Sequence, residues 1–409
     1  MGKCNAAQIS DGEVAPTCVV KKKQRVLLDA RKIWDGGIGV YTQNLITGLS
    51  EVAEIELSIL VPSKICNSAE FATYPWLDRV KVVVEDAKPY SLEEMFKLGK
   101  RITSDKYDLY HSPHYTLPLG IKIPTVVTIH DLIHIKHPEK VYYPFIATPL
   151  IVSALKRSSR VLTVSQSTLN DLKRLCPLPS VTRKLRLAPN AINPAFLAEC
   201  KNPNEYLGNK FKLTSPYFLS VFSTLKPHKG INDLLQAFLA LKKRSNAIGG
   251  AYAKACNDFK LVLVGQGMES LPSMDTLLEQ VGGAKDVFVL GAVSTEDLLN
   301  LYSGATALVV PSLAEGFGLP VIEAQAQGTP VISRPIPSVL ELLSKHDIAC
   351  ADFSKDALEA GLTTFIERYA CGEYVDPLFD VADKMKRFNI AEIAKTISFV
   401  YEEAVLQKR

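Results

Sequence analysis

Long apolar runs, paired cysteines, acidic metal loops and net charge are all scarce in this 409-residue chain. No apolar run approaches the roughly 18–20 residues that a membrane span needs, and Met1 to Gln24 lacks the apolar core of a secretory signal. The chain therefore reads as soluble and cytoplasmic. Eight cysteines (Cys4, Cys18, Cys66, Cys176, Cys200, Cys256, Cys350, Cys371) are scattered without a C-x-x-C pair. That argues against zinc or a disulfide framework and for reduced thiols. No D-x-D pair of carboxylates occurs in a loop suited to a metal, so no metal ligand set is expected. A net charge of +4 is too mild for a nucleic-acid partner, and suits phosphate ligands or an anionic membrane surface.

Apolar residues, by contrast, are plentiful. At 47% hydrophobic content the chain can fill two substantial cores, and its length exceeds one ordinary domain. From Arg25 to Ala188 short apolar runs alternate with helical patterns, among them Val40 to Leu49 and Leu92 to Ile102; this argues for βαβ units around a parallel sheet. A Pro/Asn-rich stretch comes next, and the alternation restarts at Tyr217, which implies a second doubly wound domain with a linker near 193–212. Residues 387–409 form an amphipathic helical pattern. Residues 1–24, polar and ending in Lys21-Lys22-Lys23, read as a disordered leader, with a basic arm on lipid headgroups as the lesser alternative.

In parallel sheets ligands bind beyond the carboxyl ends of the strands, so the informative residues are those placed just after strands. Near the carboxyl end, Ala307 to Val310 reads as a buried strand and Val321 to Gln327 as a helix. Between them run Glu315-Gly316-Phe317-Gly318-Leu319, with Glu323 inside the helix. Free backbone N–H groups at such a junction can hold an anion, and two carboxylates beside them suit a phosphorylated sugar. Solvated glutamates on a plain turn are the competing reading. Directly after the first strand, Asp29-Ala30-Arg31 leads into Gly36-Gly37-Ile38-Gly39, a loop that lets backbone approach a diphosphate or simply makes a tight turn.

Five of the seven histidines fall between 111 and 137. A metal reading is weak, because His130 ends the strand Pro124 to Ile129, off any helical face shared with His134, and Asp131 stands where a zinc-protease helix needs glutamate. His130 is better placed to bond a sugar hydroxyl. His111 and His114 shape an acceptor side or serve the fold. Ser165, in Val164-Ser165-Gln166, reads as a helix cap. Thr224-Leu225-Lys226-Pro227-His228-Lys229-Gly230 comes after the first strand of the second domain, where a cation can neutralise a leaving diphosphate or simply sit near a turn. Tyr142-Tyr143-Pro144-Phe145-Ile146 suits either a buried helix or a lipid surface.

The stretch from Pro311 to Glu323, continued by Ala324-Gln325-Ala326-Gln327-Gly328-Thr329-Pro330-Val331-Ile332, resembles the E-x7-E signature of retaining nucleotide-sugar glycosyltransferases of family 4. The likeness extends from about residue 25 to 405. It implies the GT-B fold, α/β with two Rossmann-like doubly wound domains facing across a cleft. The implied domains are 25–195, joined by the last helix, and a nucleotide-sugar domain at 205–385. The catalytic residues implied are His130, Lys229 and Glu315. For the donor the resemblance implies Gly37 near the phosphates, Gly265 and Val293 lining the nucleotide pocket, Gly316, Phe317, Gly318 and Leu319 gripping sugar and phosphates, and Glu323 on the ribose. Thr224 stands where the family often has an arginine, leaving Lys226 or His228 to supply a second charge. Ala191 and Asn193, beside Asn190, replace the usual Gly and Asp.

The same resemblance implies a metal-independent enzyme without cofactor. It would move a hexose, mannose favoured, from a GDP- or UDP-linked sugar to a glycan or lipid-linked acceptor, with peripheral contact at the inner membrane face. The alternatives are a binding-only GT-B subunit and a nucleotide-sugar epimerase or hydrolase on the same fold.

Overall fold

The computed structural model describes residues 22–214, 216–248, 250–265, 286–373 and 383–407. The leader up to residue 21, and the residues directly after Gly265, lie outside the described residues.

Two parallel sheets organise the chain. The first holds β1 (Gln24–Asp29), β2 (Ile55–Val61), β3 (Lys81–Val84), β4 (Leu109–Ser112), β5 (Thr125–Ile129), β6 (Arg160–Thr163) and β7 (Leu185–Leu187), in the order β3-β2-β1-β4-β5-β6-β7. The second holds β8 (Tyr217–Phe222), β9 (Lys260–Gly265), β10 (Val287–Leu290), β11 (Ala307–Val310), β12 (Val331–Ser333) and β13 (Ile348–Ala349), in the order β10-β9-β8-β11-β12-β13. Helices cover both faces, which is why strands such as Val26-Leu27-Leu28 and Leu261-Val262-Leu263 are continuously apolar and almost wholly buried. In each sheet the strand order reverses beside the first strand, between β1 and β4 and between β8 and β11. A crevice opens at such a switch point, beyond the carboxyl ends of the strands.

The last helix, Ile390–Leu406, returns to the first sheet. Asn389 caps it by accepting from the Ala391 N–H, and Ile393, Ile397, Val400, Tyr401 and Ala404 form its buried stripe. The stripe lies on the helix Gly36–Leu49, at a crossing so close that a Cβ on Gly48 would sit 2.8 Å from the Ala394 Cβ. Glu403 receives both Arg160 and Arg186, each with Nε at 3.0 Å.

Two expectations need correction. Leu92 to Ile102 is not one regular helix: a wide π turn at Glu94–Leu98 precedes a short Gly99–Arg101 helix. Glu94 is drawn inward to the Arg31 guanidinium at 2.6 Å, and Gly99 is packed directly on the Leu119 carbonyl. The Pro/Asn-rich stretch is also more than a linker, because Pro203–Phe211 is helical, opened by Asn202 at φ 52° and by Pro203. This helix packs on the second domain, where Leu207 lies against Gly304 and Lys210 meets Asp297 at 2.5 Å.

The two domains touch directly. Glu341 of the second domain accepts the Gln166 and Ser167 N–H groups of the first at 2.9 and 2.7 Å, capping the helix Gln166–Leu175 from across the cleft. Lys226 reaches Glu139 at 2.6 Å.

Because Gly48 carries the return of the last helix, Gly48→Val should overpack this crossing and cost about 1–3 kcal/mol, read as a lowered urea midpoint with an unchanged slope.

Candidate active site at the facing sheet edges

On the first-domain side, the motif residues Asp29 and Arg31 form a buttress. The Arg31 guanidinium is buried against Asp29 at 2.5 Å and Glu94 at 2.6 Å, and donates to the Ala87 carbonyl at 2.6 Å. The two neighbouring carboxylates hold its charge more firmly than water would. The glycines beyond it differ in purpose. Gly39 is required by packing, since a Cβ there would lie 2.5 Å from the Ile33 carbonyl. Gly36, at φ 49°, faces Ser223 of the second domain, and Gly37 is exposed with no atom within 4 Å of the position a Cβ would take.

His130 comes directly after β5 and is half-buried. Its Nε2 lies 3.0 Å from the Pro113 carbonyl; a carbonyl only accepts, so Nε2 carries the hydrogen and Nδ1 remains an acceptor. Tyr41 stands edge-on to its ring at 4.7 Å. Burial lowers its affinity for a proton. Gly316 abuts this strand end from the opposite domain: a Cβ there would be 2.7 Å from the His130 carbonyl and 3.2 Å from Asp131. The Glu-flanked turn and His130 therefore face one another, as placed by the ends of β5 and β11.

On the second-domain side, Lys229 Nζ donates to both oxygens of Glu315, at 2.8 and 2.9 Å. Both side chains are largely sheltered, at 13% and 18% exposure. The Glu315 carbonyl accepts from Ser338 Oγ at 2.7 Å. Phe317 is buried edge-on to Phe388 at 5.8 Å, and Gly318 turns the chain at φ 110°. The helix opens at Leu319 with Pro320 in its first turn, two residues earlier than expected. Glu323 is buried, and its Oε2 accepts from the Tyr302 hydroxyl at 2.8 Å. Burial pushes this carboxyl up to about 7, against the opposing pull of the tyrosine. The two glutamates thus have different partners. Thr224 and Val293 are half-buried, and Gly265 ends β9 beside Phe222.

Of the other expected positions, Ser165 is the helix cap, accepting from the Thr168 N–H at 3.1 Å. His111 and His114 are interior: His111 bonds Tyr401 and Thr128, and His114 bonds the Tyr90 hydroxyl at 2.8 Å. Asn190 is buried, with its Oδ1 unpartnered. Among the described residues no three His, Cys, Asp or Glu side chains gather as metal ligands. Tyr142 to Ile146 corrects the buried-helix reading, since Phe145 is 80% exposed and Val141 86%, the interior of that helix being Ala147, Ile151, Ala154 and Leu155. No helix among the described residues is long and apolar enough to cross a membrane.

Sequence reasoning missed Tyr302, Arg334 and Glu341. Arg334 is fully buried at the end of β12, donating to the Pro311 carbonyl at 2.8 Å and Asp233 at 2.6 Å. Its signal was available, as a charged residue closing the buried strand Val331-Ile332-Ser333.

Two Rossmann-like sheets meeting by their carboxyl edges are the GT-B architecture, and solved structures of that class align over nearly the whole chain. Anabaena HepE in complex with UDP-glucose matches with TM-score 0.72 and 16% identity, covering 92% of this chain and 99% of that one. WaaG, a glycosyltransferase involved in lipopolysaccharide biosynthesis, matches with TM-score 0.62 and 14% identity over 93% and 98%. The chain belongs to the glycosyltransferases of family 4: residues 35–196 match glycosyltransferase family 4 and residues 207–375 match glycosyl transferases group 1. Its relatives include O-antigen chain mannosyltransferase B of Escherichia coli, 28% identical over 351 residues, 79% of this chain and 85% of the relative. O-antigen chain mannosyltransferase RfbU of Salmonella typhimurium is 26% identical over 344 residues, 78% and 84% of the two chains.

The Glu323 carboxyl supplies a stability test. Raised from 4.5 to about 7, it favours the folded state while protonated, and that contribution is lost as pH rises through about 7. The ionised form then costs about 3 kcal/mol. Glu323→Gln keeps an acceptor for Tyr302, so it should melt higher than the native chain near pH ~8, with the gap closing towards pH ~5.

Proposed function

We propose that the chain is a retaining glycosyltransferase that moves a hexose, mannose favoured, from a nucleoside-diphosphate sugar to a glycan or lipid-linked acceptor in polysaccharide assembly. The observation that carries this reading is the Lys229–Glu315 pair, held beyond the carboxyl edges of β8 and β11, with the adjoining Gly316 against the His130 carbonyl. Glu315 takes the donor-sugar hydroxyls and Lys229 the diphosphate, where charge grows as the glycosidic bond breaks. Glu323 accepts from the ribose hydroxyls. In an enclosed site it has one donor of its own, Tyr302, and lone pairs left for others. The backbone of Gly316 to Leu319 supplies N–H groups to sugar and phosphate, with Gly37, Thr224, Gly265 and Val293 lining the donor. His130 keeps its orientation through Pro113 and presents Nδ1 as an acceptor. The mannose preference draws on the O-antigen mannosyltransferases among the relatives, and the nucleotide donor on the UDP-glucose complex of HepE.

Lys229→Ala and Glu315→Ala should each lower kcat on the order of 10²–10³-fold with an unchanged circular-dichroism spectrum. Full turnover in either would sink the site. Donor binding without transfer across an acceptor panel would mark a binding subunit, and donor consumption without acceptor an epimerase or hydrolase. Transfer is metal-independent on this reading, with cationic side chains in a metal's place, so activity should survive a chelator.

The exposed Val141, Phe145 and Ile146, beside Lys140, make the first domain's contact with an anionic membrane face, close to the Glu139–Lys226 bridge. Co-sedimentation with phosphatidylglycerol vesicles should fall sharply in Phe145→Ser/Ile146→Ser; equal sedimentation of both chains would exclude the contact.

A further inference from the structure

Among the described residues, the cations around the Glu-flanked turn already have carboxylates. Lys229 is held by Glu315 at 2.8 Å, Lys226 by Glu139 at 2.6 Å and Arg334 by Asp233 at 2.6 Å. Asp131 faces the same turn from the first domain, close against Gly316, and brings a further negative charge. As it stands the loop offers an incoming diphosphate no uncompensated positive charge, and position 224 is a threonine.

One titratable side chain in the loop is not committed. His228 lies between the two lysines, is 7% exposed, and has a buried Nδ1 without a hydrogen-bond partner. Its own carbonyl fixes it to the Glu-flanked turn by accepting from the Leu313 N–H at 2.7 Å. The charged groups facing it are Lys226 and Lys229 from its own loop, Glu315 from the turn, Asp131 from the end of β5, and Glu139. Burial and the flanking lysines keep it neutral in the free protein. A diphosphate settling beside it reverses that balance, because an anion stabilises the imidazolium.

We propose that His228 is the second cation of the diphosphate site, neutral in the free protein and protonated from solvent as the donor arrives. The inference rests on the nucleotide-sugar reading. The proton comes from water or buffer, no bond is made or broken in the step, and the imidazolium offsets charge on the diphosphate both in the bound donor and as the sugar departs.

The test is calorimetric titration with UDP-glucose and with GDP-mannose, whose diphosphates carry no group titrating near neutrality. Each is run at about pH 8 in two buffers of different ionisation enthalpy, since Glu323 is then already ionised. The native chain should take up protons, approaching roughly one per donor bound. His228→Gln should bind about tenfold more weakly with no uptake, and His228→Arg should regain affinity, also without uptake. A merely structural histidine would not move the proton count. Proton uptake unchanged in His228→Gln, or none in the native chain while donor binds, overturns the role of His228 alone. Failure of the native chain to bind either sugar nucleotide overturns the donor reading beneath it. Thermal melts check that each variant folds; should His228→Gln not fold, the native chain's proton count still decides.

Discussion

A single buried hydrogen bond, 2.6 Å between the Tyr401 hydroxyl and His111 Nδ1, ties the end of the chain to its first sheet. Both side chains are wholly enclosed, so neither has water as a substitute, and breaking the bond would leave a penalty of about 1–3 kcal/mol. Burial drives the imidazole down to about 3, which keeps it neutral, with one nitrogen giving and the other receiving. Its Nε2 continues to Thr128 at 2.8 Å and Thr128 to Tyr41 at 3.0 Å, and the Tyr41 ring supports His130. The same crossing reaches the other domain: the Phe388 carbonyl accepts from the Ile192 N–H at 2.9 Å, and its ring meets Phe317. One returning helix thus sets the position of residues on both walls of the cleft.

Within that frame the two glutamates divide the electrostatic work. Glu315 is paired with Lys229. Glu323 has only a neutral tyrosine, and holding it ionised lowers the stability of the fold. On the proposed reading the donor's ribose hydroxyls would supply the hydrogen bonds that Glu323 lacks, so that stability is given up for affinity.

Much of this was readable in the sequence, for physical reasons. Strands buried on both faces must be apolar throughout, so Leu27, Val126 and Leu308 announce a parallel sheet, and glycine-rich segments after strands mark its carboxyl edge. That edge narrows the search to residues just after strands, and the choice of Lys229, Glu315 and His130 among them comes from the family resemblance. What stayed hidden is the pairing. Tyr302 reads as one more apolar residue of the helix Thr295–Gly304, and nothing local shows that its hydroxyl ends on Glu323. Tyr401 finds His111 from 290 residues away. Gly99 likewise gives no warning that the Leu119 carbonyl will fill the space a side chain there would need. Such partners depend on how elements dock, and periodicity carries no information about that.

Glu341 bears on motion rather than on chemistry. A helix start leaves N–H groups that must be answered, and here those of Gln166 and Ser167 are answered by a residue from the opposite domain. Separation of the domains would hand two amides and a carboxylate back to water at once. The contact is exposed, so salt weakens the charge that Glu341 brings to this helix start and with it one of the ties between the domains.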